Sequence, residues 1–471
     1  MPDRLLIAPP AADWLPPLRA AGAPMLSPDA QRFRTQLGLP IDRPIILSGH
    51  QAAIWHPGIL AKYLLAHEVA SSLNACATWL VVDTDAEDFT TLNTPARDSR
   101  AGLVRRAVRM ASQPIAQQIN AGVPPASIAP FDVPPLTPPD KTIPSIVSAL
   151  SAISITLSHA RLTATCAADQ IARATLALIE PIAPRCAVIF ASRVGSTDLF
   201  QRIALDMARN PERWATGYND SLAAAPHAQL APLRIASGGV IELPLWHLPG
   251  VNQPRQRVYA SQLPALLRDG AAIAPRALLL TGLLRAAACE LFIHGVGGAG
   301  TDGLSGYDAA TTRWMTSMSL SLAPTISCTA TLTLPLLDGP RTTPDQLAHL
   351  RWRAHAARHN PALVLDALGA QHKLVALHTI QHAATPLDRR AAFTALHHEL
   401  ASHQQRAAHA LSDLNVKADA AAARLQQQLV ADDRTFPFPL HKHDALLALR
   451  AEIAAQVRAA LRAQPAGNAA I

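Results

Sequence analysis

The sequence predicts an α/β protein in which a parallel sheet flanked by helices is followed by a helical arm. Three observations predict it. Short apolar runs bounded by turn residues recur at 44–47, 78–83, 187–191, 240–243, 291–294 and 329–336, with the lengths of buried strands. Helical patterns lie between several of them. The plainest unit runs from Ile45-Ile46-Leu47, through a helix with Leu60, Leu64 and Leu73 on one side, to Trp79-Leu80-Val81-Val82, which is βαβ. After Gly339-Pro340 the chain turns to Ala, Leu, Gln, Arg and His at helical spacing. The expected organisation is a core with inserted segments over 1–340 and an arm over 341–471.

The 471 residues, 49% hydrophobic and 16% charged, exclude a disordered chain, because that much apolar surface can offset the entropy of ordering. Lys plus Arg exceed Asp plus Glu by 41 − 34 = 7. The excess is scattered rather than gathered into runs, which suits anionic small molecules better than a nucleic-acid track. Aromatic residues at 4% are too sparse for a base-stacking platform. Prolines and Asp13 interrupt the first apolar residues, so no signal peptide is read there and a cytoplasmic location is expected. The charge-free stretch 316–337 alternates, as in Thr329-Ala330-Thr331-Leu332-Thr333-Leu334, and reads as a strand rather than a membrane span. Five separated cysteines, with no CxxC, indicate reduced core residues.

In the arm, Thr343-Pro344-Asp345-Gln346 carries the N-cap hydroxyl, first-turn proline and third-position Gln of a helix start, and Thr385-Pro386 opens another helix. From Leu396 through Leu400, Ala407, Leu411, Leu414, Ala418, Ala421 and Leu425 to Leu429 an imperfect heptad stripe predicts a helix on the order of 65 Å long. Phe436-Pro437-Phe438-Pro439 lies beyond its end. A last helix with Leu446, Leu449, Ile453, Val457 and Leu461 is expected to fold back along it, giving an antiparallel arm able to pair with a second copy. The Pro-rich stretch 122–144 reads as an irregular excursion.

Ligands of such sheets bind outside the carboxyl ends of the strands, so chemistry is sought in the segments that follow them. After the first strand come Ser48-Gly49-His50-Gln51 and His56-Pro57-Gly58. Gly49 lets backbone approach a ligand, and His50 and His56 can donate to phosphate oxygens near a helix start. The alternative is a tight turn whose histidines cap the helix. After the second strand, Asp83, Asp85, Glu87 and Asp88 put four carboxylates within six residues. Their repulsion calls for a cation such as Mg²⁺, a substrate amine or a proton, with Asp85 and Asp88 the favoured pair and a solvated acidic loop the alternative.

After the fifth run, His294-Gly295-Val296-Gly297-Gly298-Ala299-Gly300 could form a backbone cradle, although no Lys follows as in a P-loop. Ser192-Arg193 offers a possible carboxylate contact. His398-Glu399 and His403 do not make a zinc helix, since residues five apart stand roughly 140° around the axis. His441-Lys442-His443 could meet a nucleotide where the arm joins the core, with a solvated helix start the favoured reading.

The run Ile46-Leu47-Ser48-Gly49-His50-Gln51-Ala52-Ala53-Ile54-Trp55, followed by Trp79-Leu80-Val81-Val82-Asp83-Thr84-Asp85-Ala86-Glu87-Asp88-Phe89, resembles the bacillithiol synthase family of cysteine-adding enzymes. That family carries Gly-Gln-Gln after its first strand and Thr-Glu-Asp-His-Asp-Phe after its second. Val296-Gly297-Gly298-Ala299-Gly300 is similar to its late Val-Gly-Gly-Pro-Gly. The resemblance implies a nucleotidyltransferase-like Rossmann core with a coiled-coil arm and an adenine nucleotide (ATP or ADP) bound near the arm. It also implies a reaction joining the carboxyl group of cysteine to the amine of a glucosaminyl malate. Gly49, Gln51, Asp85, Asp88, Gly297 and Gly298 would line that site.

His50 stands where the family has Gln, His56-Pro57-Gly58 where it has a Gly-Pro step, Glu87 where it has His, and Thr301-Asp302-Gly303 where an acidic residue is usual. A different substrate is therefore expected. His50, His56 and His294 would stabilise oxyanions, Asp85 or Asp88 would orient or deprotonate an amine, and Arg193, Ser48 and Gly295 would complete the binding set. The competing expectations are adenylyl transfer, and a non-catalytic scaffold that dimerises through its arm.

Overall fold

A computed structural model describes residues 5–99, 102–140, 142–299 and 306–462. Its strands are β1 Leu5–Ala8, β2 Ile45–Gln51, β3 Cys76–Val82, β4 Thr91–Asp98, β5 Gly102–Arg109, β6 Ala187–Phe190, β7 Ile235–Ala236, β8 Val240–His247, β9 Gln256–Tyr259, β10 Ile273–Pro275, β11 Leu291–His294 and β12 Thr325–Ala330. The chain divides into two units, residues 1–94, 106–333 and 434–471, and residues 95–105 and 334–433.

In the first unit a six-stranded sheet has the order β1-β12-β11-β2-β3-β6. Every pairing is parallel except β1 with β12, so the expected parallel sheet forms with one antiparallel edge. β2 is buried on both faces, which is why Ile45-Ile46-Leu47 reads as an unbroken apolar run. One core cluster joins Leu47, Leu80 and Phe292 to Phe200 and Trp314, and another joins Ile46, Trp79 and Ile293 to Leu60 and Leu64 of the Pro57–Leu73 helix. The two clusters account for helices on both faces.

Three sequence expectations change. β2 continues through His50 to Gln51, so those residues end a strand rather than occupy a loop. The run at 240–243 belongs to a separate antiparallel sheet of β7 to β10, not to the parallel one. The strand expected at 329–336 is instead Thr325–Ala330, because Pro324 precedes it and β1 pairs with it from Ala330 back to Ser327.

In the second unit the helices Pro344–Ala357 and Ala408–Ala431 pack together, and Ala367–Gln381 packs along Pro386–Arg406. The Thr343 capping box forms as expected. The heptad stripe does not make one helix, for Ala407 breaks it at φ −93 and ψ 10. His403, far from a metal ligand, is buried there with Nδ1 2.8 Å from Asp366 Oδ2 and Nε2 2.9 Å from the Ala357 carbonyl.

The last helix, His443–Arg462, does not fold back along the stripe. Leu446, Leu449, Ile453 and Val457 enter the core of the first unit, packing on the Ala11–Ala21 and Pro57–Leu73 helices. His441 is buried rather than solvated, and burial pushes its ring down to about 4.

Gly49 is the tightest point of the parallel sheet. A Cβ there would lie 2.6 Å from both the Cβ and the carbonyl oxygen of Leu80. Gly49→Ala should therefore cost about 1–3 kcal/mol through forced separation of β2 and β3. Chemical denaturation measures this, and an unchanged midpoint would show that the strands yield freely.

Candidate functional site

The carboxyl ends of β11, β2, β3 and β6 form one rim, as expected from the topology. Ser48, placed among binding residues by the sequence, is buried instead, and its hydroxyl donates to the Ile293 carbonyl at 2.7 Å, tying β2 to β11. Gly49 serves strand approach rather than a ligand. Its carbonyl accepts from Lys62 Nζ at 2.6 Å, and burial pushes that ammonium down to about 8. Sequence spacing gave no sign of Lys62, since its helix face reads as apolar.

His50 follows with its Nδ1 3.3 Å from the Gln51 carbonyl. Burial, then the nearby Lys62 charge, hold its ring down to about 3, so the imidazole is neutral at physiological pH. Gln51 donates to Asp85 Oδ2 at 3.3 Å, and Arg255 donates to Asp85 Oδ1 at 2.9 Å and to the Thr84 carbonyl at 2.6 Å. His50, Gln51, Asp85 and Asp88 line one cavity of about 60 Å³. The space takes a small polar group, whereas whole ligands occupy hundreds of Å³.

The other expected members separate. His56 caps the Pro57–Leu73 helix, accepting from the Gly58 N–H at 3.0 Å, which is the local alternative read from the sequence. Asp88 Oδ1 accepts from the Thr90 N–H and hydroxyl and Oδ2 from the Thr91 hydroxyl, so this carboxylate braces the turn before β4. Those hydrogen bonds outweigh burial and hold it below its usual range.

Asp83 is buried and accepts from the Ser192 N–H at 2.8 Å and hydroxyl at 2.5 Å; burial raises it to about 6. Ser192 thus ties the end of β3 to that of β6, while Arg193 beside it is exposed. The charge of the acidic loop is met by threonines, a serine, Gln51 and Arg255. Among the described residues no group of three or more His, Cys, Asp or Glu is placed to hold a metal.

At the end of β11, His294 Nδ1 lies 2.5 Å from Asp308 Oδ1. The ring sits between Phe292 and Tyr307, with centroids at 4.6 and 5.5 Å. Asp308 is buried in the first turn of the Tyr307–Ser317 helix. Fourteen residues separate it from His294, across the glycine-rich stretch, and no local spacing joins the two. Asp308 following Gly306-Tyr307 at a helix start was the one available signal. Gly295 and Gly297 have no neighbour within 4 Å of a Cβ position, and Gly297 and Gly298 lie in the short Val296–Ala299 segment. Gly300, Thr301, Asp302 and Gly303 lie outside the described residues.

The antiparallel sheet supplies a wall that the sequence did not show. Gly195, just past β6, meets the Ile273 carbonyl of β10 so closely that a side chain would not fit. Arg255 and Arg276 lie over the Trp246 ring, 4.1 and 4.6 Å from its centroid. Buried Glu242 accepts from Arg276 at 2.6 Å and from Arg257 at 3.2 Å.

No protein-family model and no curated protein matches the chain. No helix among the described residues is long and apolar enough to cross a membrane.

His50 has a measurable consequence. Its folded value near 3 lies below the ordinary imidazole value of about 6.5, so the unfolded chain takes up the proton first as pH falls. Stability should decline between about pH 6.5 and 3 on this account, with no contribution above. His50→Gln should flatten that part of a denaturation-against-pH curve, and an unaltered slope would place the ring in solvent.

Proposed function

We propose that the chain is an enzyme joining a carboxylate to an amine, acting on small molecules through the β11, β2 and β3 rim. The observation that carries this reading is the His294–Asp308 pair. A carboxylate on Nδ1 orients the ring and fixes its proton there, leaving Nε2 to take the proton that an attacking amine must lose. Asp85, kept beside Arg255, can orient the substrate's ammonium group before that transfer. Neutral His50, with its one N–H turned to the Gln51 carbonyl, can accept a hydrogen bond from the substrate's amine through Nε2.

The three histidines expected to stabilise oxyanions thus take other roles, His294 as base and His50 as acceptor, while His56 remains a cap. The resemblance to bacillithiol synthases agrees with C–N bond formation, and the absence of the family's residues at 50 and 87 favours a different pair of substrates. An adenine nucleotide would supply activation of the carboxylate, and the open backbone at Gly295 and Gly297 is where its phosphates would be accommodated. The competing scaffold reading gives the histidine and Asp308 no chemical part.

Comparison of small thiols, amino sugars and their acyl derivatives in extracts with and without the protein would identify the substrates. With those substrates and ATP, an amide product supports the proposal. Pyrophosphate released with an adenylylated product supports adenylyl transfer instead. Asp308→Asn should lower kcat by about a hundredfold or more while the fold persists, since general-base catalysis contributes on that order. Equal turnover by the wild type and this variant would remove the His294–Asp308 pair from the mechanism.

A further inference from the structure

Ten of the 19 histidines fall within 334–433, and four of them form two pairs spaced four apart, each running from the last turn of a helix to just past its end. The pairs differ in geometry. The rings of His355 and His359 are 5.8 Å apart and inclined at 60°. Those of His378 and His382 are stacked, with centroids 4.1 Å apart and 26° between planes. Both residues of the second pair are exposed, at the end of the Ala367–Gln381 helix.

The second pair is also prepared electronically. The His378 carbonyl accepts the His382 backbone N–H at 3.1 Å and lies 2.9 Å from His382 Nδ1. A carbonyl can only accept, so Nδ1 carries the proton and Nε2 keeps its lone pair. A metal-bound imidazole is held in the same way by the hydrogen bond from its other nitrogen. The last turn of a helix carries the negative end of its dipole, which favours a cation there. Nitrogens bound to zinc at 2.0–2.1 Å stand about 3.3 Å apart across a tetrahedral edge, within reach of the stacked rings after a small side-chain rotation.

We infer that His378 and His382 form a binding site for a divalent transition-metal ion of the class that prefers imidazole, zinc, nickel or copper, with its remaining positions open to water. Two protein ligands make an open site, which is consistent with the lack of any larger ligand group among the described residues. The site stands apart from the catalytic reading above and does not depend on it. Spanning one helical turn, the ion also ties Thr379 to Gln381 into the helix from both ends.

Calorimetric titration of the full chain with Ni²⁺, and separately with Zn²⁺, tests the assignment. The wild type should show one tight site, and H378A or H382A should weaken it by at least about tenfold. H355A/H359A should leave it intact, because those rings do not converge. Circular dichroism of the variants checks the helix, and both positions are exposed enough for alanine to be accepted. A tight site that survives in H378A/H382A, or that disappears only in H355A/H359A, overturns the inference, as does a wild type that shows none.

Discussion

Close approach of β2 to β3 is the constraint on which the site depends. The two strands pair continuously from Ile45 opposite Cys76 to Gln51 opposite Val82. Such a long parallel register brings Gly49 against Leu80, where only a glycine avoids collision. One residue later the same register delivers His50 beside Val81, and then Gln51 within reach of Asp85. Lys62 holds the Gly49 carbonyl from below. Its ammonium is buried without a carboxylate partner, and the same charge helps to keep His50 neutral. The cost of burying an ammonium is met here by one short hydrogen bond and by the Trp79 ring 5.5 Å away.

Much of the fold was legible because parallel strands buried on both faces are written as unbroken apolar runs. Ile45-Ile46-Leu47 and Leu80-Val81-Val82 carry that pattern, and the helix between them carries Leu60 and Leu64 at one-turn spacing. β8 opens with the apolar pair Val240-Ile241 but continues in alternation, Leu243 and Leu245 flanking Pro244 after Glu242, and it joins an antiparallel sheet. Periodicity reports burial, and burial does not say which sheet provides it. The long stripe of the second unit failed for a related reason. Leu396, Leu411 and Leu414 are buried as a stripe requires, but Leu429 is exposed and the backbone at Ala407 leaves the helical conformation.

The site was legible where function and backbone coincide, and illegible where partners come from elsewhere in the chain. His50, Gln51 and Asp85 were found because a strand end and the segment after its neighbour are close in any parallel sheet. His56 and Asp88 have the right residue types, yet each is satisfied within three residues of itself. Short-range capping of this kind competes with ligand binding for the same atoms, and spacing cannot tell which wins. Asp308, Arg255 and Arg276 have the opposite history. Each reaches the rim through a helix start or an antiparallel strand that sequence order places far from β2.

The wall beside the rim gives the crevice its sign. Arg255, Arg257 and Arg276 are paired with Asp85 and Glu242, so three guanidinium groups meet two carboxylates, leaving 3 − 2 = 1 positive charge. Trp246 lies under two of these arginines, and its ring face attracts both guanidinium groups. On the opposite side burial disfavours the charged form of both His50 and Asp83. His50 is neutral, and burial raises Asp83 to about 6. A negatively charged group is drawn to the arginine wall, whereas Glu87 and Asp88, which line the cavity with His50, favour a cationic group at its mouth. The scattered +7 of the whole chain therefore matters less than the way one surplus charge is fixed on an antiparallel strand pair beside the ends of parallel ones.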